Sequence, residues 1–291
     1  MRKWVFWFTL LLLVGTDALL HTESVTGNVR ERADSAAVVT TAPGNNELLA
    51  IGQHQVHRGN LLLVNRDYPV HPEGITEDVV RIIEHRELLN GYGLLDNSIR
   101  LSESVAERFG EMIEAAGRDG VSQFLISSGY RSLEEQEQLY AEKGSAYALP
   151  AGYSEHNLGL SLDIGSSGQA MERAPEGVWL RKHAAEFGFI LRYPKDKTDI
   201  TGIEYEPWHF RYVGLPHSLI MQEQKLTLEE YLDFLKEQQS YTAMIGGQAY
   251  RLTYHAVSGN TVIPVPADRP YELSGTNIDG VIVTESLEGM K

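Results

Sequence analysis

The stretch S-E-H-N-L-G-L-S-L-D, residues 154–163, and the shorter stretch E-P-W-H, residues 206–209, determine how the rest of the chain is interpreted. Together they supply two imidazoles and two carboxylates as candidate metal-site residues, at His156, Asp163, Glu206 and His209. A catalytic zinc ion needs three protein ligands of this kind and one open position. Because His156 and Asp163 are seven residues apart, a loop-to-strand turn rather than a single helix face must bring them together.

Spacing alone leaves two interpretations of these residues open. They are either a zinc site with Glu206 as a nearby base, or ordinary hydrogen-bonded structural residues, the commoner fate of a single histidine. The chain has no cysteine, so a transition metal must be held by histidine and carboxylate. The helical signature H-E-x-x-H is absent from the sequence, which excludes one large class of metallopeptidases. His183 and His217 are interpreted as structural or surface groups.

Composition indicates a globular protein with one substantial core. The 291 residues are 42% hydrophobic and 22% charged, a length that allows a core plus an appendage. The formal net charge is -15, which argues against nucleic acid as a partner.

The N-terminus predicts export. Arg2 and Lys3 precede an apolar run that starts at Trp4, the pattern of a signal or anchor segment over residues 1–20. The small-residue cleavage pattern is poor, so we expect a single-pass membrane anchor with the body outside the cytoplasm; secretion after cleavage is the alternative. Residues 21–58 contain few apolar side chains and are interpreted as a flexible tether.

The remaining sequence predicts helices and strands of an α+β fold, and the family resemblance given below implies that the strands form a small antiparallel sheet flanked by the helices. Apolar spacing indicates a helix over 101–117 with a capping box from Ser104 to Glu107, and Ser132 is expected to cap a second helix. Between them, residues 121–127 read as a buried strand. We place the main domain at 59–240 and a small all-β appendage at 241–291, where short β-type runs alternate with turn residues.

Three separated motifs resemble those of one family. They are S-S-G-Y-R-S at 127–132, S-E-H-N-L-G-L-S-L-D-I at 154–164 and E-P-W-H-F-R-Y-V-G at 206–214. Their order is similar to that of the VanY-type D-Ala-D-Ala carboxypeptidases, in the wider group of lysostaphin, D-Ala-D-Ala metallopeptidases and hedgehog domains. The resemblance implies the hedgehog and D,D-peptidase type of fold, carrying one Zn²⁺ per chain.

The resemblance also implies a role for each matching residue. It makes His156, Asp163 and His209 the zinc ligands and Glu206 the catalytic base. Arg131 corresponds to the arginine that stabilises the oxyanion. Two further positions, Gln136 and Ser154, correspond to substrate-binding residues.

The implied reaction is removal of the terminal D-Ala from peptidoglycan precursors whose stem peptide ends in D-Ala-D-Ala, with a role in vancomycin resistance. A related L,D-carboxypeptidase or a stem-peptide endopeptidase is the alternative enzyme, because the metal chemistry would be the same. A non-catalytic, hedgehog-like wall-binding module is a further alternative, and an intact Glu206 argues against it.

Overall fold

The computed structural model describes residues 38–42, 46–144 and 149–287, which all fall in one compact unit, 36–291. The predicted signal or anchor segment, 1–20, and the first part of the predicted tether lie outside the described residues. No helix in the described part of the chain is long and apolar enough to cross a membrane.

Strands dominate both ends of the described part of the chain. In chain order they are β1 Val38–Ala42, β2 Asn46–Ile51, β3 Val79–Arg81, β4 Tyr92–Leu94, β5 Arg100–Ser102, β6 Phe124–Ser128, β7 Ser161–Ser166, β8 Phe189–Leu191, β9 His209–Tyr212, β10 Ser240–Ile245, β11 Gln248–Ala256, β12 Thr261–Pro266, β13 Tyr271–Gly275 and β14 Gly280–Leu287.

Helices occupy the middle of the chain. They are α1 Glu103–Arg118, α2 Leu133–Lys143, α3 Pro175–His183, α4 Thr198–Thr201, α5 His217–Gln224 and α6 Leu228–Gln238, with a short 3-10 turn at Glu155–Asn157 in the second motif.

A five-stranded sheet in the order β4-β6-β7-β9-β8 forms the centre of the molecule. Its pairs are antiparallel except β4 with β6, which is parallel. Side chains alternate between the faces of a strand, so Leu162 and Ile164 point into the core while Asp163 points to the opposite face. Asp163 lies directly opposite His209 in the β7–β9 pairing, which places two predicted metal ligands side by side.

Helix α1 covers the apolar face of this sheet. Its apolar residues recur every three or four positions, and Phe109 makes edge contacts with the rings of Tyr92 and Phe189. Burying a side chain of this size contributes about 1.5–3 kcal/mol. The predicted helix is confirmed, but its N-cap is Ser102 rather than Ser104, because β5 runs up to Ser102 before the helix begins. Helix α2 is capped as predicted, by Ser132 with Glu135.

The predicted tether, residues 21–58, includes residues that belong to the folded body. Residues 46–57, assigned to it from their composition, are folded: β2 pairs with β12, and Leu49, Ile51 and Val56 are buried. These side chains join a core with residues of the C-terminal strands. The low apolar content misled the sequence interpretation because the partner strand lies more than two hundred residues away.

The predicted C-terminal β-strands all form, yet they are integrated with the main domain. Strands β10-β11-β14-β13 make a four-stranded sheet whose inner side chains, including Leu252 and Ile282, share one core with α5 and α6. Asn277, in the left-handed region at φ +63°, ties this sheet to the N-terminal segment. Its side chain bonds the His57 ring at 2.7 Å and donates to the carbonyls of Leu63 and Pro69, each at 2.8 Å.

Candidate metal centre and substrate wall

Three predicted ligands meet at one point of the central sheet. One potential ligand atom from each of His156, Asp163 and His209 lies within 4.8 Å of the others. Asp163 Oδ1 is 3.5 Å from His156 Nε2 and 3.1 Å from His209 Nδ1. Both histidines are almost fully buried. This donor set of two imidazoles and one carboxylate is one that zinc accepts in catalytic sites.

Hydrogen bonds determine which nitrogen of His156 is free. Its Nδ1 lies 2.7 Å from the carbonyl oxygen of Gly129, and a carbonyl can only accept, so Nδ1 carries the proton. The lone pair is therefore on Nε2, the atom that faces Asp163. A side chain at position 129 would overlap the carbonyl of Arg100, which explains the glycine in the first motif.

His209 is surrounded by carboxylates. Its Nδ1 faces Asp163 and lies 3.8 Å from Glu206 Oε2, while its Nε2 lies 3.5 Å from Glu155 Oε2. Burial opposes the charged imidazole, but the hydrogen bonds to Asp163 and Glu155 outweigh it and raise the pKa of His209 to about 9. Burial also opposes ionisation of Asp163, yet the two histidines hold its pKa far below the usual range. The pocket therefore favours positive charge strongly, as a metal cation requires.

Glu206 lies next to the three ligands with a carboxylate that is still partly open to solvent. Its backbone N–H donates to the Tyr193 carbonyl at 3.2 Å, which fixes the turn that leads into β9. Burial and the nearby carboxylates Asp163 and Glu155 raise the pKa of Glu206, against the pull of His209. A raised pKa makes this group a stronger proton acceptor.

Uncharged groups hold the side chain of Arg131, which interacts electrostatically with the ligand Asp163. Its guanidinium donates to Gln136 Oε1 at 2.7 Å and to Ser128 Oγ at 3.0 Å. Its backbone N–H donates to the His156 carbonyl, and its own carbonyl accepts from Asn157 Nδ2 at 2.7 Å. Burial lowers the pKa of Arg131, while Asp163 and Glu135 pull in the opposite direction, and the side chain stays charged.

Two further predicted site residues have different surroundings. The Gln136 amide is engaged on both sides, since Oε1 accepts from Arg131 and Nε2 donates to the Leu149 carbonyl at 2.6 Å. In this arrangement Gln136 supports Arg131 and keeps one further N–H and one further oxygen lone pair. The Ser154 hydroxyl makes no hydrogen bond within the described residues although the residue is only 7% exposed, so it is available to a ligand.

Trp208 is 42% exposed beside the site. Because Trp208 precedes His209 in the chain and its surface is open to solvent, its side chain lies outside the core. His183 pairs with Glu186 away from the three ligands, as expected. His217 begins α5 and is buried, so of the two predicted interpretations, structural or surface group, the structural one holds.

A layer of charged side chains behind the ligands was not predicted from the sequence. Glu155, Arg192 and Arg211 have fully buried side chains, and both arginines bond Glu155. A signal was present, because each arginine interrupts an apolar strand-like run, F-I-L-R-Y at 189–193 and W-H-F-R-Y-V at 208–213. A charge in a buried strand needs a partner, and Glu155 is that partner for both.

Comparison with known proteins identifies several relatives. The family model described as VanY, D-alanyl-D-alanine carboxypeptidase, matches residues 98–215, a range that includes every predicted site residue. A D-alanyl-D-alanine carboxypeptidase of Enterococcus faecium is 56% identical over 240 residues, covering 82% of this chain and 79% of the relative.

Solved structures give the same indication. The vancomycin resistance D,D-dipeptidase VanXYg, in complex with a D-Ala-D-Ala phosphinate analogue, matches with a TM-score of 0.73 and 32% identity. The match covers 84% of this chain and 100% of that one. VanYB in complex with D-alanine-D-alanine matches with a TM-score of 0.50 and 33% identity, over 60% of this chain and 97% of that one.

Proposed function

The chain belongs to the VanY family of D-alanyl-D-alanine carboxypeptidases, and on this basis we propose how its residues act. It is a zinc-dependent carboxypeptidase that cleaves the bond between two terminal D-alanines. The substrate we propose is the pentapeptide stem of peptidoglycan precursors. Loss of its terminal D-Ala removes the end that vancomycin binds, which connects the reaction to glycopeptide resistance.

The observation that carries the assignment is the meeting of three donors beside a carboxylate. His156 Nε2, Asp163 Oδ1 and His209 Nδ1 would hold the zinc, and they come together from a 3-10 turn and two paired strands. When bound, zinc supplies a Lewis acid that polarises the scissile carbonyl and lowers the pKa of a bound water to about 7.

Glu206 moves the protons in this scheme. It accepts the proton of the attacking water and then passes it to the departing D-alanine amine, the two duties of a general base and acid. Its position 3.8 Å from His209 Nδ1 places it beside the ligands without requiring it as one of them. The raised pKa of Glu206 suits both duties.

Arg131 faces the charge that develops on the substrate. Amide hydrolysis passes through a tetrahedral oxyanion, and a fixed guanidinium stabilises it more than the starting carbonyl. Ser128 and Gln136 hold the guanidinium, so it needs little rearrangement during the reaction. The free hydroxyl of Ser154 is assigned to the terminal dipeptide of the substrate.

We place this activity outside the cytoplasm, with the N-terminal segment as a membrane anchor. The basic residues followed by an apolar run support this placement, and so does a substrate assembled into the wall. Protease treatment of intact cells provides the test: an exported body is degraded, whereas an internal one is protected.

A pair of substrates tests the reaction. Purified protein is incubated with a UDP-linked pentapeptide and, in parallel, with the matching tetrapeptide, and the products are weighed. We expect loss of one alanine from the pentapeptide, no change in the tetrapeptide, and no product after chelation. Cleavage of the tetrapeptide would indicate an L,D-carboxypeptidase, and a cut inside the stem would indicate an endopeptidase.

A further inference from the structure

Four charged side chains form a connected cluster behind the metal centre. Glu155 Oε1 accepts from Arg192 Nε at 2.8 Å and from Arg211 Nη1 at 2.9 Å. Arg192 also makes a two-pronged bond to Glu229 of α6, at 2.7 and 2.9 Å. The side chains of Glu155, Arg192 and Arg211 are 0% exposed and that of Glu229 is 13% exposed.

The two oxygens of Glu155 have different partners. Oε1 takes both arginines, while Oε2 accepts from Ser161 Oγ at 3.2 Å and faces His209 Nε2 at 3.5 Å. The carboxylate is thus anchored through one oxygen and directed at the imidazole through the other. Arg211 is itself fixed, since Nη2 donates to the carbonyls of Asn60 and Leu62, both at 3.0 Å.

Stability alone is a weak explanation for such a cluster. Removing charges from water costs free energy that their attraction only roughly repays, and replacement of buried ion pairs by apolar groups is often neutral. The orientation of Oε2 indicates a second role. Histidines that bind metals usually donate their other N–H to a carboxylate, which fixes the tautomer and the angle of the ring.

We propose that Glu155 is a positioning residue for His209: it accepts the Nε2 proton so that the lone pair of Nδ1 faces Asp163 and His156. The two arginines hold the carboxylate away from the metal, so it acts through His209 and is not a fourth ligand. The inference rests on the proposed role of His209 as a zinc ligand, and it concerns metal affinity rather than choice of substrate.

The cluster contains its own control. Glu155→Gln and Glu229→Gln each remove one negative charge beside Arg192, but only Glu155 also contacts His209. We expect Glu155→Gln to weaken zinc binding about 10- to 100-fold, the range for lost partners of metal-bound histidines, and Glu229→Gln to change it less than about 3-fold. The zinc dissociation constant is measured by competition with a chelator, without substrate, on protein whose folding is verified by circular dichroism.

Equal weakening by the two variants would overturn the proposal, because the effect would then belong to the charge of the cluster. Unchanged zinc affinity of Glu155→Gln would overturn it as well. Because no substrate is present, these outcomes are independent of which peptide the enzyme cleaves.

A second measurement serves if Glu155→Gln does not fold. Nitrogen NMR of the zinc-loaded parent protein, with labelled histidine, reports which His209 nitrogen carries the proton. The proposal requires a hydrogen-bonded proton on Nε2 and the metal on Nδ1, and the opposite arrangement contradicts it. Ser161→Ala, which frees Oε2 on one side, is expected to weaken zinc binding about 2- to 5-fold, less than loss of the carboxylate itself.

Discussion

Two buried histidines, His209 and His217, have opposite surroundings although both are less than 5% exposed. His209 lies between the carboxylates of Asp163 and Glu155, which outweigh burial and raise its pKa to about 9. His217 bonds the hydroxyls of Tyr231 at 2.7 Å and Thr284 at 3.1 Å. With no charge to compensate burial, the pKa of His217 falls to about 3.

The difference shows that the charge of the partners, more than depth, decides what a buried imidazole can do. A pocket that retains a proton strongly also attracts a metal cation, whereas a pocket of neutral hydroxyls excludes both. His209 therefore belongs to a cation site, and His217 belongs to the core that joins α5 to the C-terminal sheet.

Removing a carboxylate ligand is expected to have the largest effect, because it takes away the charge that distinguishes the surroundings of His209 from those of His217. Asp163→Asn takes away the negative charge shared by His156 and His209. We expect zinc affinity to fall by more than about 100-fold, beyond the range for second-layer partners, and turnover to disappear. The zinc content of the protein after dialysis measures the change in affinity. Asp119→Asn, an aspartate bonded to Trp179 instead, should retain zinc; tight zinc binding by Asp163→Asn would contradict the ligand assignment.

Glu206→Gln removes the proposed catalytic base while leaving the three zinc ligands in place. We expect kcat to fall about 10²- to 10⁴-fold, the usual contribution of general acid–base catalysis, with zinc still near one per chain. Steady-state kinetics and metal analysis on the same sample check both parts. Glu204→Gln, two residues away and exposed, is the matched control. Retained turnover in Glu206→Gln would remove this residue as the base.

The guanidinium of Arg131 is a cation that neutral side chains hold in place. Arg131→Lys keeps the charge but loses the fork that reaches Gln136 and Ser128. We expect kcat to drop about 10²- to 10³-fold, as for loss of an oxyanion donor, while zinc affinity stays constant. The exposed Arg108→Lys serves as the control. A change confined to KM would assign Arg131 to ground-state binding instead.

The smallest effect concerns His217 and acid stability. Below pH 6.5 the unfolded chain protonates His217, while the folded protein resists protonation down to about pH 3. The contribution of neutral His217 to the free energy of unfolding is therefore fully present above pH 6.5. It is lost on acidification, by about 1.4 kcal/mol per pH unit.

Urea denaturation of the parent and of His217→Gln at several pH values measures this loss of stability. Between pH 7.5 and pH 5.5 the parent should lose about 1.4 kcal/mol more free energy of unfolding than the variant. His54→Gln, at an exposed histidine, should behave as the parent does. If the free energy of unfolding of the parent and of His217→Gln changed equally with pH, protonation of His217 would not limit stability.

How much the sequence predicts depends on how far apart the partners lie. His156 and Asp163 sit in one motif, and Glu206 and His209 in another, so local patterns were enough to nominate them. The pairing of Asp163 with His209 needs the β7–β9 register, which spacing alone does not give.

The missed features involve longer separations. Glu155 reaches Arg192 and Arg211 across 37 and 56 residues, and β2 finds β12 at the far end of the chain. Composition marked residues 46–57 as a tether because their buried partners could not be seen in the local sequence. Gln136 illustrates the same limit, since its position is predictable and its engagement with Leu149 is not.

Asn277 has a consequence for the order in which the enzyme matures. It holds Leu63 and Pro69, and the neighbouring carbonyls of Asn60 and Leu62 fix Arg211 behind the zinc ligands. The ribosome makes Asn277 after all of these residues, about 3–14 s after His209 at typical elongation rates. Every zinc ligand therefore precedes, in the order of synthesis, the residue that fixes the segment behind them, and a chain cut short before Asn277 has the ligands without that support.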